Sequence, residues 1–130
     1  MAPATKVEEL MSTALITMRD TDSLAAAEAE MKLASIRHIP VVDEKQNLIG
    51  MLSARDVLTA FAKGKKTVRV GEYMNRKPVT VRPDTPVHQA VDLLLEHQFG
   101  SLPVVGPDGR LMGILTETDL LRASRAFTSR

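Results

Sequence analysis

The sequence contains no cysteine and no tryptophan, one tyrosine and three phenylalanines. Without cysteine there is no disulfide, no thiolate nucleophile and no thiolate metal ligand, and the chain suits a reducing, cytoplasmic location. Three histidines with no cysteine beside them show no metal-ligand spacing, so no metal site is expected. Scarce aromatics argue against single-stranded nucleic acid as a partner, because such sites stack bases on aromatic rings. Charge of one sign is lacking too. The 17 Lys and Arg are balanced by 16 Asp and Glu, a net charge of +1, and no global field draws nucleic acid or a membrane surface. Long apolar runs are missing. Residues 10–18, the longest uncharged stretch near the start, hold two threonines and a serine and fall far short of the roughly 20 residues that span a bilayer. No basic flank and apolar core of signal-peptide type precedes them.

What is present is a globular composition and an internal repeat. Hydrophobic residues make up 44% and charged residues 25%, enough apolar side chain to exclude disorder. Shifting the sequence by 63 positions lays residues 7–61 over 70–124 without a gap, with 15 identities in 55 positions. Met11 falls on Met74, Thr17 on Thr80 and Arg19 on Arg82, and Pro40, Val41 and Val42 fall on Pro103, Val104 and Val105. Leu48, Gly50, Leu52 and Asp56 fall on Leu111, Gly113, Leu115 and Asp119. A gapless repeat is one supersecondary unit used twice. Units of this size bury too little surface to stand alone, so two repeats, 7–61 and 70–124, joined by a linker at 62–69, are expected to fold as one module.

Each repeat reads strand, helix, strand, strand, helix. Residues 15–18 and 78–81 are short and β-rich. Helix starts follow: Ser23 after Asp22, and Thr85 as an N-cap with Pro86 at the first helical position. Val87, Ala90, Val91 and Leu94 keep the helical spacing, as Leu24, Ala27, Met31 and Ala34 do more loosely. Residues 39–42 and 102–105 read as buried strands, with Val41, Val42, Val104 and Val105 in the core. Turns at 43–47 and 107–109 lead to return strands at 48–52 and 111–115. Gly50 and Gly113 inside those strands mark a bulge or a close backbone approach. Closing helices begin near Ala54 and Glu117. The ends, 1–5 and 127–130, are expected to fray.

The sharpest local pattern is a hydroxyl followed three residues later by an Asp: Ser53 with Asp56, and Thr116 with Asp119. It has two compatible readings. One is a capping box that closes free helix amides. The other is a ligand site, in which the helix N-terminus suits a phosphate and the carboxylate accepts from both hydroxyls of a ribose. Arg37, at the helix-to-strand junction of the first repeat, offers a planar fork for a phosphate, against the alternative of a solvated residue near a helix end. His38 beside it reads first as a packed or solvated residue. Gly64, Lys65, Lys66 and Thr67 do not form a phosphate loop, since Thr59 stands where its first Gly must be. The basic residues Lys63, Lys65, Lys66 and Arg69 read as a solvated linker. No nucleophile–base pair and no carboxylate dyad emerges, so no catalytic residue is expected.

At this point the residues resemble a known family, the paired CBS domain or Bateman module, named after cystathionine β-synthase. Val-x-Glu-x-Met, a Thr at the first strand, Pro-Val-Val and Gly-h-h-[Ser/Thr]-x-x-Asp (h apolar) recur in family order in both repeats. The resemblance implies an α/β fold of tandem β-α-β-β-α units, whose two small sheets pack across a pseudo-twofold axis. It implies a regulatory module that binds adenosine-containing ligands such as AMP, ADP, ATP, NAD or S-adenosylmethionine and requires no cofactor.

In ligand-binding members each cleft is built across the repeats. Carried onto this sequence, one cleft joins Ile16, Thr17, Ile36, Arg37 and His38 to Thr116, Thr118 and Asp119. The other joins Val79, Thr80, Phe99, Gly100 and Ser101 to Ser53, Arg55 and Asp56. Gly100 and Ser101 stand where members often carry basic residues, a loss that Arg55 offsets. Few residues follow Phe127, and the expectation is a module without a fused enzyme, channel or DNA-binding domain. The implied partners are a second copy of the chain, since closed twofold dimers are common, and a regulated protein. The competing reading is a structural or interaction module with no small-molecule ligand.

Overall fold

Apolar runs ending in turn residues give this chain its strands, and in the computed structural model, which describes residues 5–128, they form two antiparallel pairs. Strands β1 (His38–Val42) and β2 (Leu48–Ser53) make one pair, and β3 (Ser101–Val105) and β4 (Leu111–Thr116) make the other. Each first strand is preceded by a helix, α1 (Leu24–Ala34) or α3 (Val87–His97), and each second strand runs directly into α2 (Ala54–Ala62) or α4 (Glu117–Thr128). The register is the same in both pairs, with Pro40 opposite Met51 and Pro103 opposite Ile114. It slips between Val41 and Val42, and likewise between Val104 and Val105.

The chain divides into two compact units, offset from the repeats in sequence. One is Ile16–Pro78; the other joins the segment ending at Leu15 to the chain from Val79 onward. Each unit therefore contains the helices and strands of one repeat and a short 3-10 turn from the start of the other, Val70–Glu72 or Val7–Glu9. Burial explains the exchange. Val70 is fully buried and Met74 nearly so in a core with Leu24, Met31, Ile39 and Leu52. Val7 is buried with Ala90, Leu94, Leu102 and Leu115. Backbone bonds hold the turns: Val70 N donates to Asp22 O at 2.7 Å and Val7 N to Thr85 O at 2.9 Å.

Gly50 and Gly113 make the second part of that docking possible. Met51 and Asn75 exchange backbone hydrogen bonds, as do Ile114 and Ser12, so the stretch after each turn lies against a return strand. A Cβ on Gly50 would sit 2.6 Å from Met74 Sδ and 2.9 Å from Asn75 O. One on Gly113 would sit 2.7 Å from Met11 Sδ and 2.9 Å from Ser12 O. The strand glycines thus combine a close approach with the neighbouring register slip.

Four expectations need correction. The leading strands at 15–18 and 78–81 shrink to single parallel bridges, Met18 with Val41 and Val81 with Val104. The chain turns at once after each: Asp22 Oδ2 accepts from Arg19 N, and Thr85 Oγ1 from Arg82 N. That use of the Thr85 hydroxyl also removes it as a helix cap. Pro86 is the N-cap of α3, one position later than expected, whereas Ser23 caps α1 by accepting from Ala26 N. Val105 is half-buried, while Val41, Val42 and Val104 are buried. Of the ends expected to fray, residues 1–4 and 129–130 lie outside the described residues; Thr5 is tied down through Val87 N to its carbonyl, and α4 extends through Phe127 to Thr128. No helix among the described residues is long and apolar enough to cross a membrane.

Candidate functional site

Both hydroxyl–Asp patterns form where a return strand becomes a helix. In the Ile16–Pro78 unit, Asp56 N donates to Ser53 Oγ at 3.1 Å, and Ser53 N donates to Asp56 Oδ2 at 2.8 Å. In the other unit, Asp119 N donates to Thr116 Oγ1 at 3.1 Å, and Thr116 N donates to Asp119 Oδ2 at 2.9 Å. The capping box is therefore real in both copies.

The two carboxylates differ in what they have left to offer. An ionised carboxylate accepts about four hydrogen bonds. Asp119 uses three: Thr116 N, the Thr116 hydroxyl at 3.0 Å and the Ser12 hydroxyl at 2.9 Å. It is only 8% exposed. Asp56 is half-buried and takes one, leaving Oδ1 without a protein donor among the described residues. Asp56 can thus serve a diol while still capping its helix.

The junctions before β1 and β3 close onto these helix starts. Ala54 N donates to Arg37 O at 2.8 Å, and Glu117 N donates to Gly100 O at 3.2 Å. Together with the caps, these bonds consume two of the first three amides of each helix and leave Arg55 N and Thr118 N. The helix N-terminus read as suited to a phosphate thus keeps one open amide of the first three in each copy, among the described residues. Arg37 and Arg55 are exposed and form no ion pair among the described residues.

The remaining candidates sort by unit. Ile16, Thr17, Ile36 and His38 are half-buried in the Ile16–Pro78 unit, where His38 pairs with Ser53 across the sheet. In the other unit Val79 and Phe99 are half-buried, Thr80 and Thr118 are exposed, and Ser101 is buried opposite Thr116. Within a unit, the structure brings each junction beside the hydroxyl–Asp pair of its own repeat. Two participants escaped the sequence reading. Ser12, 107 positions from Asp119, was visible only as the residue after the repeated Met. His97 stacks on Phe99, ring centroids 5.1 Å apart and ring planes nearly parallel, and covers one face of that ring.

Comparison with known proteins follows the same lines. A family model described as the CBS domain matches residues 7–63 and again 70–126. Magnesium transporter MgtE of Thermus thermophilus is 44% identical over 97 residues, which are 75% of this chain and 20% of the transporter. The chain spans 73%, 23% and 20% of the length of three curated relatives, that transporter being the last. Among solved structures, the CBS domain pair of protein MJ0100, in complex with 5-methylthioadenosine and S-adenosyl-L-methionine, matches with a TM-score of 0.88 and 30% identity over 97% of this chain and 100% of its own. CBSX2, a CBS-pair protein of Arabidopsis thaliana, matches in its complex with AMP with a TM-score of 0.87 and 30% identity, over 95% of this chain and 98% of its own.

Proposed function

The chain belongs to the CBS domain family, which it carries in two copies, and from that premise we propose that it is a regulatory module that senses an adenosine-containing ligand. AMP, ADP, ATP, NAD and S-adenosylmethionine are the candidate ligands, and none serves as a cofactor. The observation that carries this reading is Asp56, an ionisable carboxylate that caps α2 with one oxygen and leaves the other without a protein donor among the described residues. A ribose presents two adjacent hydroxyl donors, and a carboxylate with open acceptors is their natural partner. Solved relatives at 30% identity hold AMP, or S-adenosyl-L-methionine with 5-methylthioadenosine, which supports the choice of ligand class.

The roles divide by chemistry. Ser53 with Asp56, and Thr116 with Thr118 and Asp119, read ribose; Arg37 and Arg55 read phosphate. Ile16, Thr17, Ile36, His38, Val79, Thr80, Phe99 and Ser101 contact the base and its surroundings. The competing reading, a structural module with no small-molecule ligand, draws on the three hydrogen bonds that Asp119 already accepts; Asp56, which accepts one among the described residues, argues against it.

The module acts through a surface and catalyses nothing itself. Leu58 and Leu121, equivalent in the two repeats, are each 68% exposed; such apolar side chains suit a helix-mediated homodimer. Ligand binding would bias that dimer, or a regulated partner, between two states. The location is cytoplasmic. A thermal-shift panel of the five ligands tests the reading, because a ligand that binds only the folded chain raises its melting temperature. At least one must do so with saturable dependence; no shift from any of them refutes the proposal.

A further inference from the structure

The two hydroxyl–Asp pairs align residue for residue, yet their carboxylates differ in bonding because of one position outside the motif. Ser12 is fixed against β4 by two backbone bonds with Ile114, Ser12 N to Ile114 O at 2.9 Å and Ile114 N to Ser12 O at 3.0 Å. The missing Cβ of Gly113 lets this stretch lie so close. Held there, the Ser12 hydroxyl donates to Asp119 Oδ1 at 2.9 Å. Its equivalent at the 63-residue offset is Asn75, whose backbone makes the same pair of bonds with Met51, at 2.8 and 3.0 Å. Its side chain goes elsewhere: Asn75 Oδ1 accepts from Lys77 N at 3.1 Å, within its own loop. Asp56 Oδ1 consequently meets no donor among the described residues.

We infer that Ser12 makes the two ribose-reading positions unequal, with Asp119 the weaker and Asp56 the stronger. The inference rests on the ribose role proposed above. A diol asks a carboxylate for two acceptor sites; among the described residues Asp56 has about three free and Asp119 about one. A ribose reaching Asp119 must displace the Ser12 hydroxyl from a carboxylate that is itself only 8% exposed. A module built this way fills in two steps as ligand rises, so one chain reports over a wider concentration range than two equal sites would allow.

Calorimetric titration of the full chain with AMP, and in parallel with S-adenosylmethionine, tests this in single-position backgrounds. Asp119→Ala leaves the Asp56 position, and Asp56→Ala leaves the Asp119 position. The Asp119→Ala chain should bind about three- to tenfold more tightly than the Asp56→Ala chain, the worth of one displaced hydrogen bond. Adding Ser12→Ala to Asp56→Ala should recover that factor, while adding it to Asp119→Ala should change nothing. The reciprocal variant, Asn75→Ser in the Asp119→Ala background, should weaken binding by bringing a hydroxyl to Asp56. If Ser12→Ala leaves binding unchanged or weakens it in the Asp56→Ala background, the inference is overturned and the ribose role stands. If the Asp56→Ala, Asp119→Ala double variant binds like the wild type, or no chain binds either probe, the ribose role fails and the inference with it.

Discussion

Replacing Asp56 separates the two roles that its position combines. In Asp56→Ala the bond from Ser53 N at 2.8 Å is lost, and with it half of the capping box of α2. The Ser53 hydroxyl still accepts from residue 56 N, so the stability loss should be about 1 kcal/mol, at the middle of the range for a helix cap. A ligand bonded to the carboxylate loses charge-assisted hydrogen bonds, about 1.5–3 kcal/mol, or roughly 10- to 150-fold in affinity. Asp56→Asn divides these quantities. Its side-chain carbonyl can still accept from Ser53 N, so the melting temperature should stay near that of the wild type, whereas the amide group is a donor and cannot take a ribose hydroxyl. Urea denaturation and calorimetric titration with AMP, on both variants, give the two numbers. The reasoning is refuted if Asp56→Asn binds AMP as the wild type does, or if affinity and stability fall in constant proportion across the two variants. Either result would leave Asp56 as a helix cap alone.

Other perturbations probe other parts of the account. Arg37 stands where the second repeat has Gly100; Arg37→Ala should weaken AMP or ATP markedly and adenosine hardly at all, with Arg37→Lys recovering part of the loss because it lacks the planar fork. Equal effects on AMP and adenosine would remove Arg37 from phosphate reading. Gly113→Ala places a methyl 2.9 Å from the Ser12 carbonyl, an overpacking that should cost about 1–3 kcal/mol, and Gly50→Ala should match it; a chemical denaturation midpoint unchanged in either would show that the approach is looser. Glu9 is held below the ordinary carboxylate range first by the Thr5 hydroxyl and then by the Lys6 and Thr5 amides, and Asp43 first by the Asn47 side chain. A lowered folded-state pKa stabilises fully above the unfolded value, near pH 4, and that stabilisation disappears as pH falls through the folded value. Denaturation midpoints should therefore drop below about pH 4, and Glu9→Gln with Asp43→Asn should flatten the drop; an unchanged slope would contradict this.

The elements that the sequence disclosed are those set by local pattern. Apolar runs ending in turn residues placed β1 to β4, and helical spacing placed α1 and α3, because neighbouring residues decide both. What stayed hidden depends on distant partners. Val7 belongs to a core whose other buried members lie more than 70 residues away, with Met11 packed against it, and only the gapless repeat hinted that the stretch around each Met has a fixed place. Residues 15–18 look like a strand by composition, yet their turn chemistry allows only one bridge. Thr85 suits a cap and a turn equally by sequence, and the Arg82 amide claims it for the turn. The hydroxyl–Asp pairs were legible as residues and as caps. Their inequality was not, since it comes from Ser12 and Asn75, which lie outside the motif and differ in where their side chains turn.

The central claim is that this module reads the ribose of an adenosine-containing ligand through a carboxylate that is also a helix cap. A crystal structure of the chain grown with AMP tests it most directly. The account predicts the ribose hydroxyls within about 2.5–3.0 Å of the Asp56 carboxylate oxygens, with Ser53 N still bonded to Oδ2. AMP bound with its ribose away from both Asp56 and Asp119 would contradict it.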